Sequence, residues 1–450
     1  MSGGSVIDVG KFVGGARLGR YHVAICLLCA MVLVTGGFSL TSMGMVVPTL
    51  SDEWGLDQAA FSRDIISPLS AVMYGVVGGS VAAGYLADRY GRRLVLMAMM
   101  LLASIGMAAT ATADGFGALI LFRVITGVGA GGAIPIAIAA VSDIVPDRKR
   151  NLLIMTMYVG APLGTSLGGI SGPAIITQFG WEGLFLFGSL ALLLVTAGVV
   201  ALLPESFRFL AARAGGDHCI GAILSRIRPA AGTVSATRFI LADTDKAKVS
   251  AAALFRNGRA RITFTLWLIF VGMQYVMFFV SLMMPAYLKS NGWAATDALL
   301  PLGVYNLGAI FGSIALGLLA NRIGAARSLL ISLPLATLLL CLLALVVSPT
   351  RAFLALAFVA GAMTTGSGMA LAPLAAGLYP AAVRSTGVGF ALGIGRLGSI
   401  AAPLIGAVGL SHHIGARGFF LAAAAGPLLC LLGVILLLSF LRRRSVTAHS

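Results

Sequence analysis

Long apolar runs, almost free of charge, alternate along the chain with short charged or glycine-rich breaks. Within a few residues at each end the runs are 22–47, 65–83, 94–113, 116–142, 152–177 and 183–203. After a long polar interval come 262–287, 298–320, 328–347, 353–376, 385–410 and 419–440. A helix needs about 20 apolar residues to cross a hydrocarbon core at 1.5 Å rise per residue. The runs reach that length and lack the period-two alternation of barrel strands. The pattern predicts an all-α membrane protein with twelve transmembrane helices. It divides the chain into a tail (1–20), a first group of six helices (21–203), a connector (204–259), a second group of six (260–441) and a basic tail (442–450). The first tail, glycine-rich and basic, is expected to be mobile. The connector is expected to hold surface helices and no folded domain.

Composition excludes a soluble globule. Hydrophobic residues make up 59% and charged residues 10%, with a mean hydropathy of +0.99, where soluble domains carry about 25% charge. The net charge of +16 raises nucleic acid as a partner, but its distribution argues against one. Most Lys and Arg residues fall in the tails and in alternate loops, whereas Arg63, Lys289, Arg351 and Arg417 are those on the opposite face. That asymmetry is the positive-inside pattern. It places both termini in the cytoplasm of a multi-pass protein of a bacterial-type inner (plasma) membrane, in contact with lipid. The first run is too long for a cleavable signal. The cysteines (Cys26, Cys29, Cys219, Cys341, Cys430) are scattered; Cys26 and Cys29 read as packing residues in an apolar helix, so neither a metal nor a cofactor is expected.

The break between the second and third runs is Gly84-Tyr85-Leu86-Ala87-Asp88-Arg89-Tyr90-Gly91-Arg92-Arg93. Its glycines permit a tight turn, and Asp88 can accept from an arginine or a helix N-terminus. Gly84–Gly91 reappears as Gly317-Leu318-Leu319-Ala320-Asn321-Arg322-Ile323-Gly324, and Pro146-Asp147-Arg148-Lys149-Arg150 more weakly as Pro380-Ala381-Ala382-Val383-Arg384. Both copies keep their order and their side. Two parallel halves related by an axis along the membrane normal give that pattern, with a substrate site between them at mid-membrane. The first string resembles the loop signature of the major facilitator superfamily. The resemblance implies two six-helix bundles and a gating role for Asp88, Arg89 and Arg93, with Asp143 and Arg150 beside them at the same face. Asn321 replaces Asp88 in the second copy, which implies a weaker second latch.

An ionisable residue inside the membrane is costly and points to function. Two lie deep in the runs, Arg123 and Arg396, and no acid does. Arg123 opens Arg123-Val124-Ile125-Thr126-Gly127-Val128-Gly129-Ala130-Gly131, which resembles the superfamily's second signature. In relatives that arginine faces the central cavity; the alternative is a structural charge bonded to nearby carbonyls. Arg396 sits in the glycine-rich eleventh run. A guanidinium there can hold a carboxylate through two parallel hydrogen bonds, or serve structure. Thr35, Ser39, Tyr74, Tyr158, Gln274, Tyr275, Tyr305 and Asn306 fall near mid-span, where rings and amides suit an aromatic acid; each is equally readable as helix packing.

Further stretches resemble the aromatic acid:proton symporter branch: Gly44-Met45-Val46-Val47-Pro48, Gly160-Ala161-Pro162-Leu163-Gly164, Leu203-Pro204-Glu205-Ser206-Phe207-Arg208 and Tyr379-Pro380-Ala381-Ala382-Val383-Arg384. The resemblance implies uptake of a small aromatic acid, with the proton as co-substrate. Where that branch carries D-G-F-D in its first helix, this chain has Gly36-Gly37-Phe38-Ser39. Both acids suspected of carrying the proton are therefore missing. Asp143, Asp64 and Asp88 are candidate substitutes; otherwise the substrate brings its own proton, or the protein is a facilitator. The substrate-site expectation comprises Arg396, Arg123, Phe38, Ser39, Tyr74, Tyr158, Gln274, Tyr275 and Asn306, in a monomeric carrier and not an enzyme. An exporter of anionic drugs or metabolites and a non-transporting membrane sensor are the alternatives.

Overall fold

The computed structural model describes residues 6–55, 66–211, 216–227, 238–240, 251–256, 259–348 and 350–447. A short strand β1 (Val6–Asp8) and helix α1 (Val9–Gly14) lead into α2 (Arg20–Glu53), α3 (Ile66–Tyr90), α4 (Arg92–Thr110), α5 (Phe116–Ile144), α6 (Asp147–Tyr158) and α7 (Gly160–Leu202). The connector contributes α8 (Phe207–Ala211), α9 (Gly216–Ile227) and β2 (Arg238–Ile240). The second half is α10 (Ala260–Ser290), α11 (Leu300–Ile323), α12 (Ala325–Leu345), α13 (Arg351–Thr364), α14 (Leu371–Leu378), α15 (Ala381–Ser411) and α16 (Gly415–Thr447).

Among the described residues, 11 stretches of helix are long and apolar enough to cross a membrane. One of them, Asp147–Leu202, has 56 residues, too long for one pass at 1.5 Å per residue. Gly180 within it has φ 70° and ψ 178°, and beyond it Phe187 comes back edge-on to Phe179 (ring centroids 5.7 Å apart). The chain reverses there, so this stretch supplies two passes and the expected twelve are present.

Helices surrounded by lipid gain little from burying apolar side chains against each other; close van der Waals packing decides which pair. Here the closest crossings are made by glycines. Gly75 and Gly79 of α3 face the backbone of α5 at Val124 and Val128, while Gly127 and Gly131 of α5 face α3 at Val72 and Val76. A Cβ at any of these four would lie within the envelope of the opposite main chain. The second half repeats the device: Gly308 and Gly312 of α11 press on Phe358 and Ala362 of α13, and Gly361 presses back on Tyr305. The repeat extends to backbone angles. Gly91 has φ 94° and ψ 151°, and Gly324 has φ 92° and ψ 148°, a left-handed turn open to glycine.

The N-terminal tail differs from expectation. β1 pairs in parallel with β2, Val6 opposite Arg238 and Asp8 opposite Ile240. Val9 and Val13 of α1 are buried, and Asp8 caps α1 by accepting from the Lys11 amide (3.2 Å). The tail is therefore tied to the connector. Farther along, the single turn Ala251–Leu254 joins the second half, where Leu254 accepts from Thr263 Oγ1 (3.0 Å).

The halves meet most tightly at the end where α2 finishes. Gly44 abuts the backbone of Leu282. Ser166 Oγ donates to Gly303 O (2.8 Å), and Gly169 and Gly303 cross backbone to backbone. Lys289 Nζ, from α10, donates to Pro48 O (2.5 Å), Ser51 Oγ (2.7 Å) and Asp52 Oδ1 (2.5 Å) on the last turn of α2. Among the described residues, every side-chain hydrogen bond crossing between the halves lies here. Toward the other end, Gly78 and Gly84 of α3 and Gly389 and Gly393 of α15 have nothing within 4 Å of where a Cβ would lie. A groove of about 480 Å³ runs along α15, lined by Thr386, Gly389, Phe390, Gly393 and Ile394. The protein is closed at one end and open at the end rich in basic loops.

Gly127→Leu is expected to reduce stability by about 1–3 kcal/mol or more through overpacking and to lower the detergent melting temperature, whereas Gly78→Ala leaves it unchanged. Equal melting curves for the two variants would contradict the packing described here.

Candidate functional site

Arg396 stands midway along α15 (Ala381–Ser411). Its neighbours on that helix are small: Gly395 lies against Phe270 and Gln274 of α10, and Gly398 against the α10 backbone at Val271. That close approach brings Gln274 beside the Arg396 backbone. Across the divide, Tyr158 at the end of α6 lies within electrostatic range of the guanidinium. Arg396 is half-buried, and among the described residues no hydrogen bond or ion pair engages its guanidinium. The Gln274 amide likewise has no hydrogen-bond partner among them, and Tyr158 is 38% exposed. Of the residues singled out in the sequence, Arg396 and Tyr158 thus face each other across the halves, with Gln274 packed beside the neighbouring Gly395. A planar guanidinium with open donors suits a carboxylate; the amide and phenol suit a ring substituent.

Arg123 does not face this space. It is fully buried within the first half. Its Nη2 donates to Thr110 Oγ1 (2.9 Å), Thr126 Oγ1 (3.0 Å) and Met107 Sδ (3.2 Å), its Nη1 to Ser42 Oγ (3.2 Å) and Ser39 O (3.4 Å), and its Nε to Thr110 Oγ1 (3.2 Å). The Phe185 ring lies 4.7 Å away under the guanidinium. Neutral oxygens, a sulfur and a ring face hold a charge without a counter-ion. The expected cavity-facing arginine is a packing element of the first half.

Other expected site residues also turn elsewhere. Phe38 wedges between Gly168 and Gly188, the two legs of α7. Ser39 is buried and donates to Thr35 O (2.7 Å). Tyr275 donates to Ala422 O (3.2 Å) and packs on Phe279 (5.0 Å). Asn306 is buried and its Nδ2 donates to Leu302 O (3.0 Å) within α11. Tyr305 is paired with Thr364. Tyr74 is 52% exposed on α3.

At the open end the charged loops bind within the first half rather than across it. Arg92 pairs with Asp143 and donates to Ala139 O (2.8 Å). Arg93 donates to Val200 O, and its amide donates to Glu205 Oε1 (3.2 Å). Arg150 pairs with Asp147 (2.7 Å). Arg89 lies over the Tyr90 ring (5.4 Å). Asp88 is exposed, with no ion-pair partner among the described residues. Asp64 lies outside the described residues. Burial raises the Tyr379 phenol above its ordinary value while it donates to Thr263 Oγ1 (3.0 Å), holding the start of α15 against α10. Two participants went unnoticed in the sequence. Lys289 looked like one more base on the sparsely charged face, and Glu205 like part of a connector stretch with no partner assigned; their partners are remote in the chain.

The chain matches the Major Facilitator Superfamily over residues 27–349 and again over 266–450. It is 30% identical over 402 residues to the 4-hydroxybenzoate transporter PcaK of Pseudomonas aeruginosa, covering 89% of each chain. It is 33% identical over 414 residues to a gallate transporter of Pseudomonas putida, covering 91% of this chain and 90% of that one. A 3-(3-hydroxy-phenyl)propionate transporter of Escherichia coli is 30% identical, with 92% and 93% covered. Among solved structures, a D-xylose-proton symporter superimposes with a TM-score of 0.70 at 15% identity, over 93% of this chain and 97% of that one.

Arg123→Ala is expected to cost about 2–4 kcal/mol, since it opens a void and strips buried oxygens of their donor; Arg123→Met, which refills the void, costs less. Melting in detergent measures both, and an unchanged value for Arg123→Ala would remove the packing role.

Proposed function

The chain belongs to the major facilitator superfamily, and from that premise we propose that it carries small aromatic carboxylates across a bacterial inner membrane, with Arg396 holding the carboxylate. It is a multi-pass secondary transporter related to aromatic acid transporters. The observation that carries the finer reading is the Arg396 guanidinium at mid-helix with its donors open and Tyr158 of the other half near it, on a helix packed at Gly395 against Gln274. Intramembrane charge of this kind marks a substrate pathway. Arg396 fixes the carboxylate by two parallel bonds; Gln274 and Tyr158 meet a ring hydroxyl of the kind that the relatives' substrates carry.

Access alternates by rocking of the halves. The basic loops put the open end in the cytoplasm, so the clasp of Lys289 on α2 closes the outer end. When the inner end closes, α3 approaches α15 along Gly78, Gly84, Gly389 and Gly393. Asp88, free in the present state, becomes the acceptor that crosses between the halves there. Arg89, Arg93, Asp143 and Arg150 hold its loop and the adjoining helix ends in place.

Uptake of radiolabelled 4-hydroxybenzoate and gallate into cells expressing the chain tests this. Arg396→Ala is expected to lose about 1.5–3 kcal/mol of charge-assisted bonding, roughly a ten- to hundredfold fall in uptake, with the protein still in the membrane. Arg396→Lys retains part of the rate, because an ammonium supplies a point charge without the fork. Wild-type uptake by Arg396→Ala would end the assignment. Binding without flux would favour a sensor, and faster loss of preloaded acid than entry would favour an exporter.

A further inference from the structure

We infer that this carrier is an obligatory exchanger: its site changes sides only with a carboxylate on Arg396, so entry of one organic acid is tied to exit of another. The inference rests on the assignment of Arg396 above and concerns what the empty carrier can do.

Arg396 and Arg123 are the two charges deep in the membrane, and the structure treats them differently. Arg123 is enclosed in a nest of neutral acceptors from Ser39, Ser42, Thr110 and Thr126, over the face of Phe185. Arg396 has no such nest. Tyr158, a neutral phenol, is its electrostatic neighbour.

No acid among the described residues is placed to neutralise it. Each acid in the described helices lies in a first or last turn or at the reversal around Gly180. Several are already committed: Asp143 to Arg92, Asp147 to Arg150, Asp52 to Lys289, and Glu205 to the Arg93 amide.

In the open state, water reaching the half-buried guanidinium can solvate it. To change sides, the walls must close over Arg396 before the Lys289 clasp releases. At that moment an empty site traps an unpaired cation away from bulk water, which is among the most unfavourable arrangements in a protein interior. A bound carboxylate removes the penalty twice over, by cancelling the charge and by accepting two donors in the guanidinium plane. The loaded carrier is therefore free to rock and the empty one is held. Exchange of one monocarboxylate for another moves no net charge. An inside-negative potential, which opposes entry of a lone anion, is then without effect, and the missing intramembrane acids are no obstacle to uptake. The counter-substrate is a second small monocarboxylate that fits the same site.

The test uses the purified full chain in liposomes. Labelled 4-hydroxybenzoate is supplied to vesicles preloaded with unlabelled 4-hydroxybenzoate and to vesicles holding HEPES buffer alone, while its binding to the detergent-purified protein is measured in parallel. Initial uptake is expected to be at least tenfold faster into the preloaded vesicles and unchanged by a potassium–valinomycin potential or an inside-alkaline pH gradient. Binding with equal uptake into both vesicle types, or accumulation in acid-free vesicles driven by the pH gradient, would overturn the exchange mechanism and leave the substrate assignment standing. Absence of both binding and uptake would overturn the substrate assignment, and the exchange mechanism with it.

Discussion

Backbone contact between helices is the constraint on which the rest of this structure depends. In hydrocarbon an apolar side chain gains nothing by leaving lipid for another helix, so shape must supply the affinity. Gly75, Gly79, Gly127 and Gly131 let α3 and α5 approach until each main chain touches the other, and Gly308, Gly312 and Gly361 do the same for α11 and α13. These crossings make each half rigid. Rigidity in turn permits the long buried side chain of Arg123 to be held by hydrogen bonds to α2 and α4 and by the Phe185 ring of α7. It also lets Gly398 seat α15 on α10 so that Arg396 emerges between the halves.

Contact between the two halves is more limited. It rests on a few polar bonds and small-residue crossings at one end: Ser166 on Gly303, Gly44 on Leu282, and the ammonium of Lys289 on the final turn of α2. The last contact places a cation at a helix C-terminus, where the macrodipole favours it, and adds Asp52 as a formal partner. The polar bonds can break one by one as a helix end tilts, and the few glycine crossings beside them are confined to this one end. Rigid bundles joined by a separable seam are what rocking around a fixed site requires. The connector suits that division: α8, α9 and β2 precede its undescribed stretch 241–250, and the turn Ala251–Leu254 after it is bonded to α10 through Thr263.

Much of the architecture was legible in the chain. Run lengths marked the helices, and the recurrence of Gly84–Gly91 at Gly317–Gly324 marked the halves, down to a matched left-handed glycine in each copy. Side-chain direction was not legible. A helix surrounded by lipid and by other helices is apolar on every side, so periodicity does not tell the cavity face from the packing face. Phe38, Ser39, Tyr275 and Asn306 stand near mid-span as expected, but helix rotation points them into bundle cores. Arg123 turned inward because acceptors from α2 and α4 happened to surround it. The same blindness hid the Lys289 clasp, whose partners lie more than two hundred residues earlier in the chain.

The sequence by itself determined that this is a twelve-pass membrane protein of two related halves, that its loops are basic on one side, and that its membrane interior holds two arginines and no acid. Those properties are set by composition and spacing, which a linear chain carries openly. The tertiary structure alone decided which arginine is free, which end is shut and which glycines touch. Each of these depends on how helices rotate against one another, and that is resolved by packing between segments far apart in the chain.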